Sequence, residues 1–141
     1  MLAAFLFNSL LVSVAVVIHY EVLRYLSTLV PRFTMRHRLR VLICVFGALC
    51  GHVLEIWLFG LGYFLLLHTT NMAAFSGNFD SSLLDCVYFS FTTYTTLGFG
   101  DIEPLGLVRF LVGLESLTGL VLITWTASFV YIEMRKFWGD S

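Results

Sequence analysis

Apolar and polar positions alternate along the chain in long blocks. Three apolar runs, at roughly 2–18, 41–67 and 107–132, are separated by two polar segments. Each run reaches, or nearly reaches, the ~20 residues a helix needs to cross ~30 Å of hydrocarbon. The pattern predicts an all-α membrane protein with spanning helices over 1–30, 41–67 and 107–135. A basic linker, "PRFTMRHRLR", fills 31–40. The second polar segment, 68–106, is more complex. Its first part, 68–80, is polar and turn-like. The stretch "FDSSLLDCVYFSFTTY" then opens on a helix N-cap candidate, Asp80 or Ser81, and continues as an apolar-aromatic run. A helix over 81–93 would be about 20 Å long, too short to cross the bilayer but long enough to dip into it.

Composition sharpens this picture. The chain is 59% hydrophobic and only 12% charged, with a mean hydropathy of +0.90. A soluble domain carries about twice that share of charge. This is therefore an integral membrane protein, and its net charge of −1 gives no sign of a nucleic-acid partner. The first run lacks the Lys or Arg that begins a signal peptide, and no clear cleavage site follows it, so it reads as a retained span. Cys44 and Cys50 lie about 9 Å apart along one predicted helix and cannot pair within the chain. With Cys86 they read as small buried apolar residues.

The basic residues set an orientation. Arg32, Arg36, Arg38 and Arg40 fall in the linker, and Arg135 and Lys136 follow the last run. By the positive-inside rule the linker and the C-terminus face the cytoplasm. The N-terminus and the 68–106 segment then lie outside, in a plasma membrane. The four linker arginines are also candidates for binding anionic lipid.

Within 68–106 the stretch "TTYTTLGFGD", residues 92–101, places two glycines just past the short helix. Non-helical backbone survives at membrane depth only inside protein or along a water-filled cavity. Its carbonyls need a partner, and a cation suits them. Aiming successive carbonyls at one axis requires alternating right- and left-handed backbone, which Gly98 and Gly100 supply without a steric penalty. The end of the short helix also presents the negative pole of its dipole there.

"TTLGFGD" resembles the potassium-channel signature T-V-G-Y-G-D. The resemblance runs from about residue 81 to 136, and in hydropathy from 41. It covers the outer helix, pore helix, filter and inner helix of a small prokaryotic potassium-channel-like module, here with an extra N-terminal helix. It implies a homotetramer, because one loop per chain cannot close a ring of carbonyls. It implies that Thr96, Leu97, Gly98 and Phe99 offer carbonyls to K⁺, with the Thr96 hydroxyl at the innermost site. Gly100 would shape the outer mouth and Asp101 would brace the filter. Arg109 and Gly119 are spaced like the arginine and hinge glycine of such inner helices, which makes Gly119 either a bend point or a close-packing site. Leu120, Ile123 and Ala127 would then face a cavity, and Tyr131 a cytoplasmic constriction.

Some positions depart from the signature. Phe99 replaces the filter tyrosine, Phe89 replaces a pore-helix tryptophan, and Thr92 stands where some members have a glutamate. Tyr88 remains as a donor for Asp101. These changes suggest a filter held by apolar packing more than by hydrogen bonds, and less strict toward sodium. Glu115, six residues after Arg109, is expected to hydrogen-bond the pore helix or to face the cavity.

Nothing resembles a voltage sensor, and few residues follow the last span, so regulation is expected from the membrane part. Ionisable groups inside a membrane are functional candidates by default. Helix one carries His19, Glu21 and Arg24, and helix two carries His52 and Glu55. His19 and His52 each lie eleven residues from the linker side, hence at one depth in an antiparallel pair. Three readings stand: a polar clasp between the helices, a pH-sensing cluster, or a metal site of His19, His52, Glu55 and Glu21.

A passive potassium channel is the leading expectation, with no enzyme motif and no cofactor beyond K⁺ itself. The alternatives are a weakly selective monovalent cation channel and a non-conducting membrane sensor built on the same pore.

Overall fold

A computed structural model describes residues 2–32, 37–69 and 73–138. Four α-helices dominate: α1 (Leu2–Leu29), α2 (His37–Thr69), α3 (Leu83–Tyr94) and α4 (Val108–Trp138). The three long ones are each apolar enough and long enough to cross a membrane. The short α3 lies where the sequence places the re-entrant helix.

α1 turns one stripe inward. Asn8, Leu11, Ala15, His19 and Leu23 are buried at three- and four-residue spacing, the period of one helix face. Phe5, Leu6, Leu10 and Val17 stay exposed, as suits a lipid-facing surface. The helix packs against α2 and α4 of its own chain. It ends in a single 3-10 turn over Val30–Arg32, where Pro31 removes a backbone donor and disfavours helix before it. α2 begins at His37, so the helix takes in residues 37–40 that composition alone gives to the linker. Of the linker arginines, Arg32 and Arg38 are exposed and Arg40 is half-buried. Arg36 lies outside the described residues.

The segment before the pore helix is not merely turn-like. Ala73–Gly77 forms a strand, β1, that pairs antiparallel with β2, Ile102–Gly106, on the far side of the filter. Phe75 stands opposite Pro104, and Gly77 opposite Ile102. A two-stranded ribbon has open edges, so Pro104 is tolerated despite its missing donor. Asn78 N–H continues the strap by donating to Asp101 O at 2.9 Å. A side chain at Gly77 would strike that same carbonyl.

The pore helix starts one residue later than the cap candidates suggest. Ser82 is the N-cap: its hydroxyl accepts from Asp85 N–H at 3.1 Å. The Asp85 carboxylate reaches back to the N–H of Asp80 at 2.7 Å. The second bond differs from a capping box, in which the side chain reaches the N–H of the cap residue itself, because it ties down the turn two residues before the cap. Ser81, the other candidate, instead takes a positive φ of 61° in the turn.

α3 is held closely on two sides by glycine. A Cβ at Gly60 of α2 would lie 2.9 Å from the Val87 Cα. At Gly119 of α4 it would collide with the Tyr94 carbonyl. Around these contacts sits an aromatic core. Phe89 is buried between Tyr63 and Phe75, with ring centroids 5.3 and 4.8 Å away. These are edge-on contacts of the favourable kind. Phe89 thus fills the place of the missing tryptophan by packing alone.

Candidate pore and polar cluster

The candidate filter segment, residues 95–101, hangs from the end of α3. Thr95 N–H donates to Phe91 O, Thr96 N–H to Thr93 O at 2.9 Å, and Gly98 N–H to Thr92 O at 3.0 Å. These bonds satisfy the last carbonyls of the helix, which have no intrahelical partner. Beyond them the backbone takes positive φ at every second residue: Thr96 at 58°, Gly98 at 53° and Gly100 at 77°. The two glycines meet the requirement read from sequence. Thr96 is an addition. Its left-handed backbone costs roughly 1–2 kcal/mol for a residue with a side chain. That strain marks the first position of the loop as one whose conformation is imposed by its surroundings.

Within one chain the segment 95–101 is exposed throughout. Leu97 and Phe99 are 61% and 65% accessible. Nothing lies within 4 Å of a Cβ built at Gly98 or Gly100. Among the described residues, no side-chain hydrogen bond to the carbonyls of Thr96, Leu97, Gly98 and Phe99 is present.

Behind the filter, the Tyr88 hydroxyl donates to Asp101 Oδ2 at 2.8 Å. This bond raises the Tyr88 pKa above the ordinary tyrosine value. Thr92 does not join it. Its hydroxyl turns back to Phe89 O at 2.9 Å, a bond within its own helix. Glu115 is buried behind the pore helix and takes hydrogen bonds from both Ser90 and Tyr63. It faces α3, not a central cavity. Ser90 Oγ also lies 2.8 Å from Ile56 O, so its one proton is shared between an acceptor on α2 and the Glu115 carboxylate on α4. Ser116 on α4 adds a bond to Thr93 O at 3.1 Å.

On α4, Gly119 is buried against Tyr94, and the helix is continuous through it. The geometry there is one of close packing. Leu120, Ile123, Ala127 and Tyr131 are exposed in the single chain.

A second polar group lies where all four helices meet. His19 Nδ1 is 2.9 Å from Glu55 Oε1. His52 Nδ1 is 3.2 Å from Glu55 Oε2 and 2.9 Å from the Tyr94 hydroxyl. That hydroxyl donates to Glu55 as well. On the far side of the rings, Thr126 Oγ1 lies 2.9 Å from His52 Nε2 and 3.4 Å from His19 Nε2. The two rings are 5.2 Å apart, and His19 is 1% exposed. Glu21 stands outside the group. It is half-exposed and paired with Arg24 at 2.7 Å, three residues on along the same helix.

Tyr94 and Thr126 are members that sequence reasoning misses. An aromatic and a threonine in apolar stretches carry no periodic signal. Thr126 does lie two helical turns after Gly119, on the face that touches α3, and that spacing is the available clue.

Comparison with known proteins agrees with this architecture. The profile of a family described as "Ion channel" matches residues 51–136. The potassium channel protein kcv of Paramecium bursaria Chlorella virus 1 is 39% identical over 56 residues. That alignment covers 35% of this chain and 60% of the viral protein. No solved structure matches the chain. With the family profile spanning more than half of its length, the chain belongs to the ion channel family.

Proposed function

We propose that the protein is a potassium-selective channel that conducts passively through the segment "TLGFGD". The alternation of positive φ at Thr96, Gly98 and Gly100 carries this reading. That alternation turns successive carbonyls, from Thr96 to Phe99, toward one side, where they replace the water around a dehydrated K⁺. The Thr96 hydroxyl supplies an oxygen at the inner end. Gly100 and Asp101 shape the outer mouth. The similarity to a viral potassium channel supports the choice of ion.

One chain offers one loop, so the pore is a homotetramer in a lipid bilayer. The exposure of 95–101, and of Leu120, Ile123, Ala127 and Tyr131, is what a subunit facing a shared axis would leave uncovered. The arginine distribution supports an orientation with the N-terminus outside and the C-terminus in the cytoplasm of a plasma membrane. Arg32 and Arg38 are exposed where anionic headgroups would meet them.

Purified protein in liposomes provides the test. A K⁺ gradient should drive flux well above that of protein-free vesicles, and Gly98→Ala should abolish it, because alanine resists a φ of 53°. Equal flux through wild type and Gly98→Ala would place conduction elsewhere. Weak selectivity is the second reading. It rests on Phe99, which has no hydroxyl to anchor the filter. Under that reading Na⁺ flux would match K⁺ flux, and Phe99→Tyr would lower it.

A further inference from the structure

We propose that His19, His52 and Glu55 form a binding site for a divalent transition-metal ion of the zinc class. The argument starts from hydrogen counting. An ionised carboxylate only accepts hydrogen bonds. His19 Nδ1 faces Glu55 Oε1 at 2.9 Å, so that neutral ring carries its proton on Nδ1. His52 Nδ1 lies 3.2 Å from Glu55 Oε2 and 2.9 Å from the Tyr94 hydroxyl. Both Nε2 atoms face Thr126 Oγ1, and a threonine hydroxyl has one proton to give. While the Tyr94 hydroxyl donates to Glu55, His52 also carries its proton on Nδ1 and one Nε2 lacks a donor. The metal-free cluster fills that lone pair only by turning the Tyr94 proton from Glu55 to His52, which lets His52 donate from Nε2. A clasp between α1 and α2 needs only one imidazole on Glu55, and the second ring adds this competition for one proton.

A metal ion resolves it. With the cation held by the two Nδ1 atoms and the Glu55 carboxylate, each ring moves its proton from Nδ1 to Nε2. No proton is gained or lost. Both Nε2–H groups now point at Thr126 Oγ1, which has two lone pairs to accept them. Ligating histidines commonly fix their orientation this way, through the other ring nitrogen. The spacings also fit. In a tetrahedral shell, metal–ligand bonds of about 2.0–2.1 Å place neighbouring ligand atoms about 3.3–3.4 Å apart, and the nitrogen–oxygen pairs here, 2.9 and 3.2 Å apart, need open only slightly to admit the ion. All three ligand atoms lie within 4.8 Å of one another. Two imidazoles and a carboxylate suit zinc and its neighbours better than magnesium or calcium. An open groove of about 300 Å³, lined by Tyr20, Arg24, Trp125 and Glu133 among others, lies alongside. The Trp125 ring packs 5.3 Å from His19.

The site touches the pore helix through Tyr94, whose hydroxyl contacts both Glu55 and His52. Tyr94 is the last residue of α3, two before Thr96. Metal occupancy is therefore in a position to stiffen or shift the start of the filter.

The test is independent of conduction. Full-length protein in detergent is exposed to Zn²⁺, freed of excess and assayed for metal, then examined by X-ray absorption at the zinc edge. The expected result is about one zinc per chain, with a shell of two imidazole nitrogens and carboxylate oxygen at about 2.0–2.1 Å. No retained zinc, or a shell of oxygens or sulfur without imidazole, overturns the proposal on the wild type alone. His19→Gln with His52→Gln should lose the zinc, and retention by that folded variant would also overturn it. Thr126→Val keeps all three ligands and should weaken zinc affinity about 10–100-fold. Unchanged affinity there would refute the hydrogen-counting argument.

Discussion

The Tyr94 hydroxyl at the end of the pore helix donates to the carboxylate of Glu55 in the middle of the outer helix. The Tyr94 carbonyl is meanwhile pressed against Gly119 of the inner helix. One residue, just before the filter, thus joins both long helices of the pore module.

Tyr94→Phe should leave the fold intact and loosen this joint. Hydrogen bonds between membrane helices contribute about 0.6 kcal/mol on average and up to about 1.7 kcal/mol. Thermal unfolding in detergent should show a loss in that range. Flux should change more than stability does. A variant with wild-type stability and wild-type flux would remove Tyr94 from the account.

Gly119→Ala places a methyl group against the Tyr94 carbonyl, with nothing flexible to yield. It should destabilise the protein by about 1–3 kcal/mol, as overpacking does. Gly113→Ala, six residues earlier on the same helix, meets nothing beyond its own helix backbone within 4 Å among the described residues and should be tolerated. Equal melting temperatures for the two variants would count against the close packing. A loss of channel opening in Gly119→Ala with normal stability would favour the hinge.

Tyr88→Phe removes the bond to Asp101 and should speed the decay of current during sustained conduction. Because this bond raises the Tyr88 pKa, its contribution is whole below about pH 10, the ordinary tyrosine value. It is lost only as pH climbs through the raised value. Current decay in wild type should therefore be flat from neutral pH to about pH 9 as far as Tyr88 is concerned. Identical decay in wild type and Tyr88→Phe would show that Asp101 is braced by something else.

Ser90 and Glu115 form the bond behind the filter. A double-mutant cycle of Ser90→Ala and Glu115→Gln, read by thermal unfolding, should give a coupling of about 0.6–1.7 kcal/mol. Additive effects would mean that the two side chains do not interact in the folded protein.

The sequence makes the spanning helices and the pore loop legible, because length and apolar content decide them and the filter heptapeptide is unusual. Counting from the linker also puts His19 and His52 at one depth, and their rings are 5.2 Å apart. The strap of β1 and β2 is not legible. "AAFSG" and "IEPLG" hold few strand-forming residues, and they pair only because the pore loop brings its two shoulders together. Gly119 reads equally as hinge or packing site until the position of the Tyr94 carbonyl is known. Thr126 is invisible for the same reason: its role comes from two rings on other helices. Glu21 misleads in the opposite direction. It lies close to His19 in sequence, but a helix turns it outward, where Arg24 takes it.

The most direct measurement is the reversal potential of single channels in a planar bilayer, with K⁺ on one side and Na⁺ on the other. The account predicts a reversal potential far from zero, on the side set by K⁺. A value near zero, with currents that still vanish in Gly98→Ala, would contradict potassium selectivity and leave a pore that passes both ions.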